Sequence, residues 1–91
     1  MGAVVRVPTQ LRTLTGGVSE VTVEGTTVGD VLKGLEVAHP GFGDRLFDEA
    51  GQLRRFVNVY VGGEDIRFLD GLDTPVSDGD EVMILPAVAG G

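Results

Sequence analysis

The 91-residue chain predicts a small α+β fold: one mixed sheet of four to five strands crossed by a single helix. Three observations carry this expectation. Short β-branched runs with two-residue alternation recur along the chain, one segment has apolar residues at helical spacing, and Gly, Asp and Pro punctuate the gaps between them. At this length one core must bury most of the apolar side chains. With four Phe, one Tyr and no Trp, that core is mainly Val and Leu.

Val4 to Val7 reads as a first strand that runs out at Pro8, which suits a strand end and not an interior. Gln10 to Gly17 reads as a polar connection. Ser19 to Glu24 alternates strictly, with Val21 and Val23 on one side, and predicts a half-buried second strand. Thr27 is placed to cap a helix, and Asp30 falls in its first turn, where negative charge is favoured. Val28, Val31, Leu32, Leu35 and Ala38 then form one apolar stripe, and His39-Pro40-Gly41 ends the helix. Gly29 and Gly34 lower its propensity, so packing on the sheet must hold it.

Asp44 to Phe47 suits a helical turn, and Asp48 to Gln52 an exposed loop. Phe56 to Val61 is the strongest strand signal; Gly62-Gly63 and Glu64-Asp65 supply a turn before a short return through Ile66-Arg67-Phe68. Asp70 to Asp80 reads as loop, and Glu81 to Leu85 as the last strand. The order β-β-α-β-(β)-β is the β-grasp, or ubiquitin-like, arrangement, in which a helix covers one sheet face and leaves the other partly open. Residues 1–85 are the expected domain and 86–91 a flexible C-terminal tail.

Parity assigns the faces. With Glu81 turned to solvent, Val82 and Ile84 enter the core, and Met83 and Leu85 share the open face with Glu81. Val57, Val59 and Val61 form the matching core set, leaving Phe56, Asn58 and Tyr60 outside. An exposed apolar cluster of this kind marks a protein-binding surface.

Composition excludes several functions. The net charge of −7 and pI near 4.4 disfavour a phosphate-backbone ligand, since such affinity rests on Lys and Arg displacing counterions, and no nucleic-acid partner is expected. The absence of Cys removes disulfides, thiolate metal sites and a catalytic thiol. No apolar run near spanning length or leader-like start occurs in the sequence, so a cytoplasmic protein without membrane contact is expected. His39 reads as a capping residue and not a general base, and no nucleophile–base set is evident, which argues against an enzyme. Asp78 and Asp80 fit turn and solvation roles better than metal ligation, and no metal is expected.

The ending Pro86-Ala87-Val88-Ala89-Gly90-Gly91 stands apart: Pro86 stops the ladder and every residue after it is small. Adjacent Gly pairs occur three times, about as often as composition predicts, so position and not presence is the signal. A terminal carboxylate is a poor electrophile until adenylated. An enzyme that adenylates it must draw the end of a whole protein through a narrow passage, which residues without side chains permit.

Phe56-Val57-Asn58-Val59-Tyr60-Val61, Gly79-Asp80-Glu81-Val82 and above all Ile84-Leu85-Pro86-Ala87-Val88-Ala89-Gly90-Gly91 resemble the ThiS/MoaD family of sulfur carriers, its CysO type in particular. The resemblance spans essentially the whole chain. It implies that Gly91, preceded by Gly90, is adenylated by a MoeB/ThiF-like enzyme using ATP and becomes a thiocarboxylate. It further implies transfer of sulfur to a synthase, in CysO-type systems a pyridoxal-phosphate cysteine synthase, with no cofactor on the carrier, which is a monomer when free. The expected partner-binding set is Pro86, Ala87, Val88, Ala89, Leu85, Met83, Phe56 and Tyr60, with Asp80 and Glu81 at the rim. A MoaD-like small subunit of molybdopterin synthase and a ubiquitin-like protein modifier are the alternatives.

Overall fold

The structure, a computed structural model, describes residues 2–86. Five strands and two helices appear in the order β1 (Ala3–Arg6), β2 (Glu20–Val23), α1 (Val28–Ala38), α2 (Phe42–Leu46), β3 (Val57–Val61), β4 (Glu64–Asp65) and β5 (Glu81–Pro86), with three short 3-10 turns between them. The sheet order is β2-β1-β5-β3-β4. All neighbours are antiparallel except β1 and β5, whose parallel pairing makes the sheet mixed. The expected β-grasp arrangement is the one observed, with the full five strands.

The helix forms where its spacing placed it. Thr27 caps it, its hydroxyl accepting from the Asp30 N–H at 3.2 Å, and His39 ends it by donating its backbone N–H to the Leu35 carbonyl. Val28, Val31, Leu32 and Leu35 are fully buried against Val5, Val59, Val82 and Ile84. Ala38, expected on the same stripe, is exposed instead. The turn at Pro40-Gly41 brings Phe42 and Leu46 of α2 into the core, and these larger side chains close the layer that Ala38 would have covered.

Three other expectations need correction. The stretch Gln10 to Gly17, read as a polar connection, is mostly a 3-10 helix, Thr9–Thr15, that buries Leu11 and Thr15. It closes on Gly16 at φ 67°, a left-handed residue that suits glycine. The return after β3 is only Glu64–Asp65, because the Asp65 carboxylate caps a 3-10 turn over Ile66–Phe68 by accepting from the Arg67 N–H at 2.9 Å. The helical turn expected from Asp44 begins two residues earlier, so that Phe42 lies inside it.

Strand β5, expected over 81–85, runs through Pro86, which lies opposite Val57. Strand β1 pairs only with Glu81 to Met83, so on that side a proline at the far end leaves no ladder donor missing.

Candidate functional site

Register builds the open face row by row, because residues opposite each other in a sheet point the same way. Thr22, Val4 and Glu81 form one row, and Glu20, Arg6, Met83, Tyr60 and Asp65 the next. Leu85 and Asn58 form the last, beside the end of β5. The parity assignment therefore holds: Val82, Ile84, Val57 and Val59 are buried and Val61 packs partly against them. Leu85 is 42% exposed and Phe56 57%, while Met83, Tyr60 and Asn58 are half-buried. Phe56 stands just before β3, outside the strand assigned to it.

The charged side chains on this face have specific partners. Arg6 donates from Nε to Glu81 at 2.9 Å and approaches Glu20 at 3.8 Å. The hydrogen bond to Glu81, and then the charge of Glu20, hold its guanidinium protonated beyond its ordinary range. Glu81 is thus held by the sheet and not a free rim charge. Asp80, also placed at the rim, accepts from the Ser77 N–H at 2.8 Å, and its carbonyl takes the Val4 N–H at 2.8 Å. It closes the turn that launches β5, the turn role expected of the Asp78–Asp80 pair.

Sequence reasoning did not single out Arg67. Its Nη2 donates to the carbonyls of Val57 at 2.8 Å and Arg54 at 3.2 Å, and its Nη1 to the Asn58 carboxamide oxygen. This guanidinium pins the entry of β3 to the turn that follows β4. The only legible signal was a cation placed two residues after the Asp65 cap. Ala87, Val88, Ala89, Gly90 and Gly91 lie outside the described residues. Among the described residues no group of His, Cys, Asp or Glu is arranged to hold a metal, and no helix is long and apolar enough to cross a membrane.

A five-stranded β-grasp sheet whose central last strand leads into Ala-Val-Ala-Gly-Gly sets the frame for comparison with known proteins. The ThiS family model matches residues 5–91. The chain belongs to the ThiS family. Among related proteins, the sulfur carrier protein CysO of Mycobacterium tuberculosis is 50% identical over 93 residues, covering all of both chains. A chain of the Amycolatopsis orientalis BexX/CysO complex superposes with a TM-score of 0.92 at 49% identity. That match covers 99% of this chain and 100% of the other. Small archaeal modifier protein 3 of Haloferax volcanii is 43% identical over 68 residues, 75% of this chain and 73% of its own. The ubiquitin-like fold, the ThiS family and the likeness to CysO read from the sequence are all borne out.

Proposed function

We propose that this chain is a sulfur carrier whose Gly91 carboxylate is the reacting group. The observation that carries the reading is the 50% identity to a sulfur carrier protein over the full length of both chains, terminal residues included. The carrier is a co-substrate and not an enzyme. A partner of the MoeB/ThiF type supplies ATP: the Gly91 carboxylate oxygen attacks the α-phosphate and pyrophosphate leaves. Sulfide, or a persulfide with a reductant, then adds to the acyl carbon and AMP departs, so one oxygen is replaced by sulfur.

The sheet serves this chemistry by holding β5 between two neighbours, so the tail is launched from the rigid centre and not from a fraying edge. The thiocarboxylate sulfur is softer and more nucleophilic near neutral pH than a carboxylate oxygen. It can attack an electrophile held in a second enzyme, for which a pyridoxal-phosphate cysteine synthase is the proposed acceptor. The site of action is the cytoplasm, and the domain runs through Pro86 with 87–91 as the tail.

Intact mass after incubation with ATP, the adenylating enzyme and a sulfide source tests the reading. The expected product is the chain with one oxygen exchanged for sulfur, and a chain lacking Gly91 should remain unmodified while staying folded. Normal adenylation of that truncated chain would sink the assignment. The 43% identity to a small archaeal modifier protein supports a second reading, in which Gly91 is joined to lysines of other proteins. Lysine-linked conjugates in cells, without any sulfurated chain, would decide for it.

A further inference from the structure

The few cations of this acidic chain are not evenly placed. Arg55 lies two residues before Val57, the register partner of Pro86 at the end of β5, and Arg67 donates to the Val57 carbonyl itself. Arg67 lies over Val57 and Asn58, the register partners of Pro86 and Leu85. Its three hydrogen bonds are to neutral oxygens, no carboxylate among the described residues pairs with it, and the residue is exposed. Arg55 is exposed, and among the described residues no hydrogen bond or ion pair engages it. Arg54 turns away, its Nε donating to the Asp44 carbonyl at 3.0 Å. Arg6 offers the contrast, since two carboxylates neutralise it in mid-sheet. Phe56, next to Arg55 in the chain, and Leu85, the register partner of Asn58, are both exposed. The far ends of the same strands carry Glu64, Asp78, Asp80 and Glu81, so the sheet is polarised along β5.

We infer that Arg55 and Arg67 form a cationic collar at the root of the tail, which docks on an acidic rim around the tail passage of the activating enzyme. The inference rests on the carrier reading above. Reach separates this partner from the nucleotide itself: the five residues 87–91 extend up to about 17 Å. Drawn out through a passage, they put the terminus at the ATP phosphates and leave the collar at the entrance. Carboxylates there are suited to a guanidinium, whose planar fork binds them bidentately and sheds its hydration readily. Apolar Phe56 and Leu85 supply the desolvated centre beside it. An acidic entrance also repels the rest of a chain of net charge −7, so approach is favoured tail-first.

Binding to the purified adenylating enzyme that captures the parent chain tests the collar. Arg55 is the residue to change, because no hydrogen bond or ion pair among the described residues depends on it, whereas Arg67 also holds β3. Arg55→Glu should raise Kd about tenfold at roughly 20 mM salt, mostly through a slower association rate, with the gap narrowing as salt screens it. Arg55→Lys, which keeps the charge but loses the bidentate fork, should fall between the two, about three- to fivefold weaker than the parent. Lys33→Glu makes the same change in net charge as Arg55→Glu, on the helix side, and should stay within about twofold of the parent. Arg55→Glu binding as tightly as the parent, or no more weakly than Lys33→Glu, overturns the collar. Binding without adenylation would instead sink the carrier reading and leave the Kd comparison standing.

Discussion

At the residue scale Gly34 shows how a local cost serves packing. It lowers helix propensity in the middle of α1, yet a Cβ there would stand 2.6 Å from Val23 Cγ1 on β2. Bare backbone lets the helix approach the sheet. Gly34→Ala gains about 1 kcal/mol in helix propensity and loses about 1–3 kcal/mol through overpacking against a buried valine. The expected outcome is a net destabilisation of about 1 kcal/mol, read as a lower urea midpoint at unchanged slope. A rise in the midpoint would mean that Val23 yields and that the close approach is not what selects glycine. Arg6 and Arg67 make the complementary point: similar side chains on one sheet face are spent differently, one neutralised by carboxylates and the other tied to backbone oxygens.

At the element scale β5 joins the core to the proposed docking face. Its odd and even positions divide cleanly, with Val82 and Ile84 inside and Met83 and Leu85 outside. Leu85→Asp should weaken binding to the activating enzyme by about tenfold or more, because an apolar anchor at an interface centre is replaced by a charge that must be desolvated. Glu81→Ala should cost far less, since its ion pair with Arg6 is exposed and screened by solvent. Isothermal titration of the two variants checks the contrast. A folded Leu85→Asp chain that binds like the parent would remove this face from the interface. The short helix α2 carries a separate load: Phe42 is fully buried, and Phe42→Ala should cost about 3–5 kcal/mol in a thermal or denaturant melt.

At the scale of the whole molecule, the first and last strands meet as the parallel pair β1 and β5 in mid-sheet. Neither end of the sheet closes without the other. Removing residues 1–7 takes away Ala3, Val5 and Val7 from the core, unpairs Glu81 to Met83 of β5 and cuts β2 from the sheet, so cooperative unfolding should vanish. Removing 87–91 should leave the melting transition in place, since the core cluster of the described residues closes without that segment. Circular dichroism melts of the two truncations test the asymmetry; a cooperative transition in the chain lacking 1–7 would show that β1 is dispensable.

What could be read from residues alone was whatever depends on neighbours close in sequence. Two-residue alternation placed β2, β3 and β5 and their faces, the 3.6-residue stripe placed α1, and the Thr27 cap and the turn at Pro40-Gly41 set its ends. The family resemblance rested on the terminal run from Ile84 to Gly91. The tertiary structure decided what depends on partners far apart in sequence. Leu11 and Phe42 sit in segments too short and too polar to show a period, and they are buried because the sheet and α1 leave space there. Ala38 carried the right spacing but had no surface left to cover. Ile66 to Phe68 has strand-like residues, yet the Asp65 cap satisfies the Arg67 N–H locally and turns the chain away from the ladder. The pairing of Arg6 with Glu20 and Glu81 joins three strands, and Arg67 spans from the turn after β4 back to β3. No local pattern encodes such contacts, because each is fixed by sheet order and register, which are settled only when the whole core closes.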